Sequence, residues 1–233
     1  MGSPTATPGW AAREGNAMVA RPESAEAPTR RRNPDLTREE ILDVAVREFA
    51  RHGLAGARVD EIAAQTRTTK RMIYYYFGGK EQLYIAALER VYSLFRDVEA
   101  RLDVDHLDPV AAIRQLAQLT LDHHEAHPDF IRLVAIENIH RAENISRSEI
   151  LRPMNSPVIT TTGRILERGY AAGVFRRRVD PVDLHMMISA FCFFRVANQH
   201  TFLAAFGRDL VGPASHELHR EMVGDMVVSY LTG

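Results

Sequence analysis

Thr69-Lys70-Arg71-Met72-Ile73-Tyr74-Tyr75-Tyr76-Phe77 is the stretch from which the fold can be read. A Thr ahead of a helical pattern is an N-cap signal, so a helix is predicted to start just after Thr69. Ile73 and Phe77 stand four residues apart and share one face. Lys70, Arg71, Tyr74 and Tyr75 fall on the others. The first face can dock on a domain. The second offers two cations and phenol hydroxyls, which suit a DNA major groove and its phosphates. Taken alone, the same stretch could equally be a solvated, Tyr-rich surface helix.

The flanks decide between the two. Upstream, Arg58-Val59-Asp60-Glu61-Ile62-Ala63-Ala64-Gln65 carries the apolar positions of a short helix, with two acids at its positive N-terminus. Thr66-Arg67-Thr68 then joins it to the next helix, which is helix-turn-helix spacing. Downstream, Phe77-Gly78-Gly79-Lys80-Glu81-Gln82-Leu83 is a turn opening a long helix to about Ala100. Thr37-x-x-Glu40 has the form of a capping box, flanked by Leu36 and Ile41 as a hydrophobic staple. The first helix is therefore expected to start at Thr37 and to stop near Gly53.

The run VDEIAAQTRTTKRMIYYYFGGKEQLY resembles the DNA-binding segment of the tetracycline-repressor (TetR) family of bacterial regulators. The likeness spans about residues 37 to 90. It implies an all-α chain: a three-helix head at 34–80, then a helical effector-binding and dimerisation body at 81–233. By motif position, Lys70, Arg71 and Tyr74 are the expected base-edge readers. Arg58, Thr69, Tyr75 and Lys80 are the expected phosphate contacts, with Thr68 in the same turn. Two positions depart from the family pattern. Arg67 stands where Gly is usual, and a left-handed Arg there would cost about 1 kcal/mol. Arg58 stands at an N-cap position, where it cannot cap but can reach a phosphate.

Charge supports a local DNA contact. Residues 29–80 hold eleven Lys/Arg against seven Asp/Glu, a net of +4 in a chain whose total is −1, which leaves −5 for the remainder. The near-zero total argues against whole-chain affinity for nucleic acid, so any DNA contact is expected to be local. Residues 1–33 are rich in Pro, Ala, Gly, Ser and Thr and read as a disordered tail ending in Arg30-Arg31-Arg32. That basic end is either a solvated stretch or an arm reaching a minor groove. One cysteine, Cys192, lies between Phe191 and Phe193, which excludes an internal disulfide and suits a cytoplasmic protein. Polar residues interrupt every apolar run well short of 18 residues, so no membrane partner is expected.

The body reads as helices throughout. Asp108-Pro109 opens one to about His124, and Pro128 opens another to about Glu143. A third covers about 149–172, bent near Pro153 and Pro157. Asp180-Pro181 opens an apolar helix expected to run unbroken to Phe206, and Pro213 opens the last. His219, Met222, Val223, Met226, Val227 and Tyr230 form a heptad-like stripe on that last helix. It reads as a homodimer interface, consistent with the four-helix interface that the family resemblance implies, or as packing on the chain's own core. Two heads related by a two-fold axis would read a palindromic operator in double-stranded DNA.

Polar residues inside apolar helices mark candidate ligand positions, since burying them unpaired is costly. Asn138, Arg195 and Asn198 qualify, with Phe130, Phe191 and Phe194 as apolar walls. Pairing among themselves is the competing reading. The run HPDFIRLVAIENIH is also similar to a helix of TetR-type repressors of pyrimidine and nicotinate breakdown, which implies a small, aromatic and anionic ligand. His123-His124-Glu125-Ala126-His127 is not an H-E-x-x-H motif, so neither a metal nor another cofactor is expected. No catalytic constellation stands out, so the chain is not expected to be an enzyme. Two functional readings follow. One is a ligand-responsive transcriptional regulator, released from its operator by a small molecule. The other is an architectural DNA-binding protein without a ligand.

Overall fold

The computed structural model describes residues 34–100 and 104–233. The tail at 1–33, with its Arg30–Arg32 end, lies outside the described residues. Eleven α-helices and one short 3-10 turn make up the described chain, which contains no strand. The head is α1 (Pro34–Gly56), α2 (Val59–Gln65) and α3 (Lys70–Phe77); α4 (Lys80–Ala100) leads into the body. The body is α5 (Pro109–Ala126), α6 (Pro128–Ile139), α7 (Leu151–Met154), α8 (Ser156–Ala171), α9 (Pro181–Ala197), α10 (Gln199–Phe206) and α11 (Pro213–Thr232). No described helix is long and apolar enough to cross a membrane.

Local chemistry explains most helix starts. Asp108 and Asp180 accept backbone N–H bonds at the heads of α5 and α9, each followed by Pro at the first position. The expected Thr37 cap is displaced. α1 begins three residues earlier, at Pro34, whose fixed φ and missing N–H suit a first helical position. Gly53 ends the regular part of α1 at φ 64°, and only a short turn continues to Gly56.

Three other body expectations change. The expected extension of α6 to Glu143 stops at Ile139, because the buried Glu137 carboxylate folds the chain back. It accepts from the Asn144 N–H (3.2 Å), the Asn144 Nδ2 (3.1 Å) and the Ile145 N–H (3.0 Å). Arg141 and Ala142 adopt positive φ within that return, the only non-glycine residues among those described to do so. Arg67 therefore carries no left-handed strain. The expected helix over 149–172 is divided at Asn155 into α7 and α8. The expected helix from Val182 to Phe206 is broken at Asn198, whose Nδ2 donates to the Phe194 carbonyl (3.2 Å) and competes with the backbone ladder.

The head does not own a separate core. Ile41, Phe49, Ile62, Ile73 and Phe77 belong to one buried cluster with Leu83, Leu88 and Phe95 of α4 and Phe130 and Leu133 of α6. Phe49 and Tyr84 meet edge-on, with ring centroids 4.9 Å apart. A three-helix unit of this size is marginal alone, and α4 with α6 supplies its missing apolar surface. A second cluster fills the body, where Val223, Val227 and Leu231 of α11 pack with Ile113, Leu116 and Leu121 of α5.

Candidate nucleic-acid interface and central cavity

α3 is seated and aimed as its sequence predicts. The Thr69 hydroxyl accepts from the Met72 N–H at 3.3 Å. Ile73 is 0% exposed and Phe77 8%, and the Arg38 guanidinium lies over the Phe77 ring. Gly78 closes the helix at φ 82°, a conformation that a Cβ would strain. Arg71, Tyr74 and Tyr75 face outward, Tyr75 at 79% exposure. Arg58 and Thr69 are exposed on the same head, and Thr68 is half-buried.

Two of the expected contact residues have partners inside the head. Lys70 Nζ pairs with Asp60 at 2.9 Å, and the hydrogen bond and charge of that carboxylate hold the ammonium above its ordinary pKa. Lys80 Nζ donates to the Ala55 carbonyl at 3.2 Å, tying the start of α4 to the end of α1. Arg58 donates its backbone N–H to Glu48 Oε1 at 3.0 Å, which leaves its side chain free of any capping role.

A cavity of about 670 Å³ opens between α4, α5, α6, α8 and α9. Tyr92, Phe95, Phe130, Val134, Val158 and Phe193 give it apolar walls. Tyr92 and Phe130 meet edge-on at 5.1 Å. The polar groups are Arg96, His124, Asn138, Asn155, His185 and Ser189. Burial, with smaller contributions from His185 and Arg96, pushes the His124 imidazole down to about 3. Burial and Arg96 push His185 down to about 4. Both rings are therefore neutral at pH 7, while Arg96 keeps its charge.

Of the six expected ligand residues, only Phe130 and Asn138 line this cavity. Asn138 also ties its Nδ2 to the Val134 carbonyl of its own helix at 2.9 Å. Arg195 is corrected to an internal clamp at 3% exposure. It donates to His219 Nδ1 (2.9 Å), Glu125 Oε2 (2.9 Å) and the Leu210 carbonyl (2.7 Å), locking α9 to α5 and α11. Phe191 lies edge-on to His219, and the half-exposed Phe194 meets Phe202 edge-on. Asn198 sits in the break after α9. Sequence reasoning passed over Arg96, His124, Asn155, His185 and Ser189 as cavity residues. Arg96 could have been found by the polar-interruption rule, since it follows Tyr92 and Phe95 on the inner side of α4.

The expected interface stripe divides. His219, Val223 and Val227 are buried within the chain, at 8%, 0% and 0% exposure, so they face α5 and α9 rather than a partner. Met222 is 44% exposed, Met226 and Tyr230 are half-buried, and Arg177 covers the Tyr230 ring. Leu218 of α11 and Phe194 of α9 are exposed as well, whereas Met186 and Ala190 of α9 line the cavity. The Phe191–His219 contact sets the two helices side by side.

Comparison with known proteins agrees with this geometry. Residues 41–87 match the model described as "Bacterial regulatory proteins, tetR family", and residues 109–227 match "Tetracyclin repressor-like, C-terminal domain". The HTH-type transcriptional repressor NicS of Pseudomonas putida is 36% identical over 181 residues, which is 78% of this chain and 85% of that protein. The HTH-type transcriptional repressor SCO4008 of Streptomyces coelicolor is 42% identical over 108 residues, 46% of this chain and 53% of that protein. Among solved structures, the putative transcriptional regulator SCO4942 of Streptomyces coelicolor is similar with a TM-score of 0.62 and 28% identity. That match covers 84% of this chain and 98% of the other.

Proposed function

This chain belongs to the tetracycline-repressor family of bacterial transcriptional regulators, and we propose that it is a homodimeric repressor, released from a palindromic operator by a small aromatic acid. It is a DNA-binding regulator and not an enzyme. One observation carries the DNA half of the reading: α3 is anchored through Ile73 and Phe77 and turns Arg71, Tyr74 and Tyr75 outward. Arg71 and Tyr74 are the base-edge readers, with Lys70 joining them once it leaves Asp60. Arg58, Thr68, Thr69, Tyr75 and Lys80 hold phosphates.

The ligand half rests on the cavity. Its aromatic walls suit a planar ring, and Arg96 offers the only charge on its lining that remains ionised at pH 7. An architectural DNA binder has no use for such a chamber, which favours the regulator. The remaining exposed face of α11, with Met222, Met226 and Tyr230, and the outer face of α9 are the proposed dimer contacts. Sites selected from random DNA and then footprinted test the reading. A short palindrome is expected, with half-site centres about 34 Å apart. Extended, uniform protection would favour the architectural reading.

A further inference from the structure

Three residues of the cavity lining, Arg96, His124 and Asn155, have buried polar atoms without a hydrogen-bond partner, and of these Arg96 alone carries a charge. It sits on the inner side of α4, with its side chain 11% exposed and its guanidinium over the Phe95 ring at 4.5 Å. Its Nε and Nη1 are buried without a hydrogen-bond partner. Among the described residues, the acid paired with it is Glu99, three residues along α4, whose side chain is 6% exposed. That contact is a close ion pair out of hydrogen-bond alignment, and both Glu99 oxygens lack a donor. Glu99 does not line the cavity, whereas Arg96 does. A guanidinium has five N–H donors in a planar fork, and a carboxylate arriving from the cavity can take two of them side by side.

We infer that Arg96 is the receptor for the ligand's anionic group, and that Glu99 is a built-in competitor which holds Arg96 until the ligand displaces it. The inference rests on the proposal that the cavity takes a small aromatic acid. In the empty protein the buried cation has a counter-ion, as a buried charge requires. Once the ligand takes the guanidinium, Glu99 is left buried beside a second negative charge. It then has to shed its own.

The surroundings allow that. The titratable groups facing the pair are Tyr92 on α4, His123 and His124 on α5 and His185 on α9. Burial pushes Glu99 up to about 7, although Arg96 pulls it the other way. Burial first, then the neighbouring imidazoles and Arg96, hold His123 and His124 at about 3, and burial with Arg96 holds His185 at about 4. Between about pH 6 and pH 8 Glu99 is therefore the only one of these acids and imidazoles that changes charge. A benzoate-type ligand stays anionic over that range, so its binding is accompanied by proton uptake at the Glu99 carboxyl, approaching one proton near pH 8 and dwindling towards pH 6, where that carboxyl is already largely protonated.

The test compares benzoate, the neutral benzamide and the cationic benzylamine against the full chain, by thermal shift and titration calorimetry. Benzoate is expected to bind at least tenfold more tightly than benzamide, with no stabilisation by benzylamine. Arg96→Gln should bring benzoate down to the benzamide level, and Arg96→Lys should restore part of the difference. Glu99→Gln should tighten benzoate and leave benzamide unchanged. Wild-type affinity for benzoate should rise up to about tenfold from about pH 8 to about pH 6, and that reading needs no variant. Equal binding of benzoate and benzamide by the wild type would overturn Arg96 as receptor while leaving the cavity reading intact. Benzoate binding that is independent of pH, or weakened by Glu99→Gln, would overturn the competition. Binding of none of the three probes would remove the aromatic-ligand reading itself, and this inference with it.

Discussion

Phe194→Ala is expected to weaken the dimer without harming the fold. Phe194 is 49% exposed in the single chain. Burying a large apolar side chain from full exposure stabilises by roughly 1.5–3 kcal/mol, so the half left exposed is worth about 0.8–1.5 kcal/mol. A two-fold interface counts each residue twice, giving about 1.5–3 kcal/mol per substitution. That corresponds to about a 10- to 150-fold rise in the dimer dissociation constant. Sedimentation velocity across a protein concentration series measures it. Operator affinity should fall in parallel at low protein concentration and recover at high concentration, because each head is untouched. Val227→Ala is the matched control. Val227 is 0% exposed in the α5–α11 core, so its truncation should cost roughly 2 kcal/mol of fold stability and leave the dimer constant near wild type. If Phe194→Ala stays dimeric with unchanged affinity, the outer face of α9 is not the interface.

Three further outcomes are expected. Arg71→Ala should relax base preference at one position per half-site, at a cost of ~1–3 kcal/mol, whereas Lys80→Ala should weaken binding to every sequence and flatten the salt slope by about one per subunit; binding-site selection and salt titration separate the two. Asn138→Ala should keep operator affinity and need roughly 5- to 150-fold more effector for release, the worth of a lost hydrogen bond of about 1–3 kcal/mol, read by titrating effector against labelled operator. His124 is held neutral in the fold, at about 3 against 6.5 when unfolded, so its stabilising contribution is complete above about pH 6.5 and is lost as pH falls towards 3. The slope is at most about 1.4 kcal/mol per pH unit, and His124→Gln should flatten it in urea melts taken between about pH 5 and pH 7.

The reading head was legible because its signals are local. The Thr69 cap, the Ile73–Phe77 pair and the Gly78 stop all lie within ten residues, and each acts on the backbone next to it. The cavity was not legible, for a reason visible in Arg195. A polar residue in an apolar helix looks the same in sequence whether it faces a ligand or a distant partner. For Arg195 that partner is Glu125, 70 residues away, and nothing local announces it. The terminal stripe misled in the same way. His219, Val223 and Val227 fall on one side of α11, but only the position of α5 decides that this side faces inward. Arg96 escaped notice because a cation near the end of a long helix is ordinarily a solvated one.

α4 joins the two functions, and the energetics assign them different residues. Sixteen residues separate Lys80, beside the head, from Arg96, a helical rise of about 24 Å. Between them Leu83, Tyr84, Leu88 and Val91 are buried in the cluster shared with α1, so the helix can pass on a movement only as a body. A ligand shifts the heads only through its different affinity for the two states, and near-complete switching needs about 5.5 kcal/mol of difference. Exchange of one carboxylate for another at Arg96 leaves the count of ion pairs unchanged and supplies little of this. It selects which ligand enters. The switching energy has to come from surface that is buried in one state and open in the other, and Phe130 is placed to provide it. Its ring meets Tyr92 and Phe95 of α4 at 5.1 and 5.9 Å, and α6 also packs on the head through the shared core. On the proposed reading, an aromatic ring entering beside Phe130 would force α4 and α6 either apart or into closer register. Selectivity should therefore follow Arg96 and Glu99, and the size of the response should follow Phe130.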